Sequence, residues 1–144
     1  IHWNHASDDW QTSYAENNLN PGGAFLYRME ARDGSEGFDF SGRYSEVIPG
    51  KAIAYTLDDG RNVHLSFSVT AGGTLVTESF ETEDENSADL QKAGTWSGAL
   101  ENYSLKPLGS KTLLSVDTDV PADMKSFIIE IWPKALEKLK TLCE

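Results

Sequence analysis

The sequence predicts an α+β fold: a meander of antiparallel strands with one buried face and helices laid against it. Three observations carry this. The stretch from Gly23 to Phe80 alternates apolar and polar residues, and a period of two marks half-buried strands. Turn signals punctuate it at Asp33-Gly34, Pro49-Gly50, Asp58-Asp59-Gly60 and Gly72-Gly73, where glycine supplies the backbone freedom of tight reversals. After Pro121 the spacing turns helical, with Ile128, Ile131, Trp132, Ala135, Leu139 and Leu142 in one apolar stripe.

In chain order, Ile1 to Asn20 is polar and aromatic and reads as a short helical turn followed by a loop, with Trp3 and Trp10 packing down. Asn20-Pro21-Gly22-Gly23 turns into the first strand, where Phe25, Tyr27, Met29 and Ala31 share a face opposite Arg28, Glu30 and Arg32. The second strand sets Phe38, Phe40 and Tyr44 against Asp39, Ser41 and Arg43. Ile53, Tyr55 and Leu57 make the third, and Val63, Leu65, Phe67 and Val69 the fourth, with the cleanest alternation in the chain. Thr74 to Phe80 is the fifth; apolar residues on both its faces leave its orientation open.

The acidic run Glu81–Glu85 reads as a solvated loop leading to a helix from about Ser87 to Tyr103, capped by Asn86. Leu90, Ala93, Trp96 or Ser97, Leu100 and Tyr103 give it a stripe, and Gly94 and Gly98 weaken it by about 1 kcal/mol each. Ser104 to Val120 reads as a hairpin in which Pro107 suits an edge. Pro121 is placed to start the last helix, and Pro133 to kink or divide it.

A length of 144 residues suits one domain spanning the whole chain. The net charge of −11 argues against nucleic acid and against anionic membrane surfaces, both of which want a basic face. No apolar run approaches the ~18 residues that span a bilayer. The single cysteine, Cys143, excludes an internal disulfide, and a cytoplasmic setting fits. No signal peptide is visible, and Ile1 at the start is consistent with a segment of a longer protein.

Among candidate functional groups, His2, His5, Asp8 and Asp9 invite a metal reading, but their spacing matches no defined site and a surface loop explains them, so no metal is assigned. No cofactor motif, phosphate loop or nucleophilic triad is visible. His64, Arg28, Asp39 and Arg43 fall opposite the aromatic face and read as solvated. No catalytic residue is assigned. The aromatic face itself has two readings: plain core, or the lining of a cavity in which tyrosine hydroxyls find partners.

The runs Trp3-Asn4-His5-Ala6-Ser7-Asp8-Asp9-Trp10, Pro21-Gly22-Gly23-Ala24-Phe25, Gly37-Phe38-Asp39-Phe40-Ser41-Gly42 and Leu90-Gln91-Lys92-Ala93-Gly94 with Trp96 resemble the bacterial relatives of the activator-of-Hsp90-ATPase (AHSA1-like) domain. That family lies within the START-like, polyketide-cyclase and Bet v 1 (SRPBCC) group. The resemblance covers roughly residues 1–103. It implies a helix-grip fold, a curved antiparallel sheet packed on a long C-terminal helix, with a cavity between them. Phe25, Tyr27, Phe40, Tyr55, Phe67 and Trp96 are the expected lining, with Trp96 nearest the cavity.

Two departures from the family are visible. The strand and short helix that usually precede the Trp-Asn segment are absent, and residues 104–144 follow the usual end. This tail looks like the end of another such domain. The expectation is that Lys111–Val120 and the last helix replace the missing strand and the gripping helix; alternatives are a strand from a second chain or from outside this segment.

The expected function is binding of a hydrophobic or aromatic small molecule, with no assigned chemistry. One alternative is a polyketide cyclase or hydrolase-like enzyme, which needs an acid or base beside the cavity. The other is a chaperone-associated interaction module presenting its acidic surface. A homodimer stays open if an edge strand is unpaired.

Overall fold

The computed structural model describes residues 7–82 and 98–144. Eight strands form one sheet in the order of the chain, every neighbour antiparallel. They are β1 (Trp10–Asn17), β2 (Ala24–Ala31), β3 (Gly37–Ile48), β4 (Ala52–Leu57), β5 (Arg61–Thr70), β6 (Gly73–Thr82), β7 (Leu100–Leu108) and β8 (Lys111–Thr118). One long helix, α1 (Lys125–Cys143), closes the chain. This is the helix-grip arrangement: a curved sheet and one C-terminal helix.

The register fixes which residues share a face, because directly opposed residues of antiparallel strands point the same way. Phe25 faces Gly42, Tyr44 faces Tyr55, Tyr55 faces Val63, Val63 faces Phe80, and Val76 faces Tyr103. The inner face is therefore continuous from β1 to β8. Register shifts between Thr12 and Tyr14 and between Tyr44 and Glu46 bulge β1 and β3, and bulges bend and twist a strand locally.

The dry core sits in β2–β5. Phe25, Tyr44, Leu57 and Val63 are buried together. Phe25 is its hub, with the rings of Tyr27, Phe40, Tyr44 and Tyr55 at centroid distances of 5.7, 5.9, 5.2 and 5.2 Å. Gly42 makes room for it: a Cβ there would stand 2.9 Å from Phe25 Cζ and 2.5 Å from the Thr56 carbonyl.

Several sequence expectations are corrected. Residues 10–17 are a strand, not a loop; the bulge at Ser13 breaks the alternation that would have announced it. The helix expected over 87–103 fails at its end, since 100–103 belong to β7, and Glu101-Tyr103-Leu105 faces inward with a period of two. Its remainder, with Asn86 and Trp96, lies outside the described residues. β7 is an inner strand, and Pro107 is tolerated because it lies beyond the last β6–β7 pair, Thr74–Leu105. α1 starts at Lys125 rather than Pro121; Pro121 instead accepts a turn bond from the Met124 N–H at 3.0 Å. Pro133 does not divide α1. It is exposed, as is Ile129, so water can serve the carbonyl that lacks its helical partner.

β8 pairs along its length with β7 and so continues the meander. On α1, Ile128, Ile131, Trp132, Ala135 and Leu139 are half-buried, whereas Leu142 is exposed. Trp132 meets Tyr103 with ring centroids 6.3 Å apart. Lys138 pairs with Asp8, just ahead of β1, at 3.4 Å, and Glu144 pairs with Lys111 of β8 at 3.0 Å. Trp132 thus meets the inner face at β7, and the last two turns of the helix reach Asp8 beside β1 and Lys111 of β8.

Candidate functional site

The inner face divides into an aromatic part and a polar part. Phe25, Tyr27, Phe40, Tyr55 and Phe67 all lie on this face by register. Phe25 is buried within the core, while Tyr27, Phe40, Tyr55 and Phe67 are half-buried. Tyr27 and Phe40 stack at 6.3 Å. Trp96 lies outside the described residues.

The tyrosine hydroxyls have partners. Tyr27 Oη accepts from Asn17 Nδ2 at 3.4 Å. Tyr55 Oη reaches across β5 and donates to Glu78 Oε1 at 3.0 Å. Tyr103 Oη bonds Glu101 Oε1, and Thr118 Oγ1 donates to Glu101 Oε2 at 3.3 Å. Glu78 and Glu101 are directly opposed across β6 and β7. Two carboxyls therefore stand side by side on the inner face, with tyrosines attached on either side.

Burial sets their chemistry. Desolvation disfavours the carboxylate and raises the pKa of Glu78, an effect partly offset by the Tyr55 hydroxyl. Glu101 is pushed up to about 7 by burial and by the neighbouring Glu78 charge, against the Thr118 hydrogen bond. Burial also raises the Tyr55 phenol, with Glu78 adding to the shift. Two adjacent carboxyls in such surroundings hold a proton near neutrality and titrate as a pair. The pair can donate a hydrogen bond and accept one.

Sequence reasoning missed both glutamates. Glu78 sits in the strand whose orientation was left open; carrying the alternation of β5 through the Ala71-Gly72 turn sets it opposite Leu65, facing inward. Glu101 was hidden within the expected helix. The strand cations and acids behave as expected: Arg28 bonds Glu30 and Asp39 on the outer face, both at 3.2 Å, and His64 is exposed.

A groove of about 460 Å³ opens near the Gly22-Gly23 turn, lined in part by Glu16, Ser41, Arg43 and Asp58. Its polar groups already serve one another: Arg43 donates to the Gly22 carbonyl at 2.7 Å and Ser41 to Asp58 at 2.5 Å. It offers little to an apolar ligand. No group of three or more His, Cys, Asp or Glu among the described residues is arranged to hold a metal. His2 and His5 lie outside those residues. None of the helices among the described residues is long and apolar enough to cross a membrane.

The family model described as Activator of Hsp90 ATPase homolog 1-like protein matches residues 1–104, and the chain belongs to that family. It is similar to the AHSA1-like protein from Aeromonas hydrophila, at 41% identity over 65% of each chain with a TM-score of 0.52. A protein from Cytophaga hutchinsonii is 42% identical over 64% of each chain, with a TM-score of 0.49. These matches span just under two thirds of either protein's length. A protein from Nitrosomonas europaea, 16% identical with a TM-score of 0.51 over 98% of this chain and 75% of its own, shares the fold alone. No curated protein matches the chain. Family and fold together suggest a ligand-binding or interaction module.

Proposed function

We propose that this member of the family binds an apolar or aromatic small molecule between the inner face of the sheet and α1. The observation that carries this reading is the pairing of a half-buried aromatic surface, Tyr27, Phe40, Tyr55 and Phe67, with a small polar group on the same face, Glu78 and Glu101. Small-molecule sites combine these two ingredients. Apolar contact supplies affinity, roughly 25 cal/mol per Å² removed from water before ordering costs. The carboxyl pair then fixes orientation by offering a donor and an acceptor to a hydroxyl, carbonyl or amine on the ligand.

Native mass spectrometry, compared with a denatured spectrum of the same sample, tests the reading. Extra mass lost on denaturation is the expected result. A bare chain that also takes up nothing from a panel of aromatic and polyketide-like compounds would overturn it.

One observation favours a second reading, a cyclase- or hydrolase-like enzyme: an acid held near pH 7 on the apolar face is poised for proton transfer. In that reading Glu101 is the general acid–base and Glu78 the group that holds its proton. Turnover of an aromatic ester or polyketide mimic, lost in Glu101→Gln, would establish it. Turnover unchanged in that variant would remove it.

A further inference from the structure

We propose that β8 pairs edge to edge with β8 of a second copy of this chain, antiparallel about a two-fold axis at Leu114. The two edges of the sheet are not alike. β1 carries a bulge at Ser13, a device that spoils an edge for pairing. β8 has an unbroken register over all eight residues and no proline. Leu113 on it is 48% exposed, and Leu108 at the end of the adjoining strand 64%.

The turn fixes which backbone groups face outward. Leu108 and Lys111 close a two-residue loop, and Gly109 has φ +63° while Ser110 stays at negative φ. That is the pattern of a type II′ turn, whose closing pair exchanges hydrogen bonds. The alternation continues to the far end, where the Asp119 N–H donates to the Leu100 carbonyl at 2.9 Å. The odd-numbered residues of β8 therefore bond inward to β7. Thr112, Leu114, Val116 and Thr118 aim their N–H and C=O groups away from the sheet. Among the described residues no strand pairs with that edge.

A two-fold axis at Leu114 matches outward residues only with outward residues: Leu114 meets itself and Thr112 meets Val116. The same register sets Lys111 opposite Asp117 of the other copy, twice. Both are exposed and lie on the outer face, and Lys111, whose exposed pair with Glu144 of its own chain spans 3.0 Å, exchanges that partner for the Asp117 of the other copy on pairing. Opposed unlike charges support this pairing, and a self-complementary patch is what a two-fold interface requires. The contact is small, and two chains of net charge −11 repel, so the dimer forms only at raised concentration.

Sedimentation equilibrium over a concentration series, with amide hydrogen exchange at its two ends, tests the proposal. The expected result is a reversible dimer in which the amides of Thr112, Leu114 and Val116 gain protection while those of Leu113 and Ser115 are protected throughout. Thr112→Pro removes one outward N–H and should abolish the dimer. Lys111→Asp should weaken association roughly threefold to tenfold, and adding Asp117→Lys should restore it. This rescue does not depend on the proline variant folding. A chain monomeric up to about 1 mM, outward amides protected at every concentration, or a dimer indifferent to the charge swap would each overturn the proposal.

Discussion

The two halves of the inner face sit beneath the same fold and are built to opposite rules. In β2–β5, rings pack on rings around Phe25, which is 4% exposed. In β6–β8, no side chain among the described residues reaches that burial, and two carboxyls face one another where a hydrophobic pair would pack better. The first half accounts for the cohesion of the domain. The second is less buried and carries two carboxyls whose pKa values burial raises.

The largest expected effect breaks the first half. Phe25→Ala should destabilise by about 3–5 kcal/mol in urea unfolding, because five interlocked rings leave a cavity that cannot collapse. Phe67→Ala, on the same face but half-buried, should lose only about 1–2 kcal/mol. Equal losses would mean that the dry core extends undivided along the whole aromatic half. Gly42→Ala comes next. The new methyl meets the Phe25 ring and the Thr56 carbonyl, and overpacking of this kind costs about 1–3 kcal/mol.

The polar half is sharpened by pH. Burial raises the Glu101 pKa from 4.5 to about 7, so the folded protein holds that proton more tightly than the unfolded chain. The associated stability is fully present below about pH 4.5 and is lost as pH rises through about 7. Unfolding midpoints should fall across that window. Glu101→Gln should flatten the slope and stabilise the protein at pH 8 by roughly 1 kcal/mol, a figure discounted for the solvent that still reaches the side chain. A slope that survives the substitution would assign the titration to another group.

The aromatic half was legible in the sequence and the polar half was not, for a physical reason. Phe25, Tyr27, Phe40, Tyr55 and Phe67 announce their face by alternation alone, since one wet side and one dry side impose a period of two. Glu78 and Glu101 violate that rule: each is a charged residue on the dry side, so a reading that trusts alternation turns them outward or into a helix. β1 was lost for a related reason, because the bulge at Ser13 interrupts the period. The helix of residues 125–143 was legible from its stripe. Its start was not, because Met124 at the N-cap offers no side-chain acceptor and leaves no capping signal to read.

The smallest effect tests the link between the halves. Tyr55 belongs to both: its ring packs edge-on against Phe25, and its hydroxyl holds Glu78. Tyr55→Phe keeps the ring and removes the bond. Stability should drop by about 0.5–1.5 kcal/mol, the net value of one hydrogen bond whose partner stays behind. The Tyr55 hydroxyl lowers the Glu78 pKa, so its removal should raise that pKa further, measurable from the side-chain carboxyl carbon by NMR. If the carboxyl titration moves while the aromatic resonances around Phe25 stay fixed, the halves are coupled only through this bond, and the polar site can be retuned without disturbing the core. If the Phe25 resonances move as well, the aromatic cluster and the carboxyl pair form one cooperative unit, and any ligand gripping the carboxyls will be felt in the core.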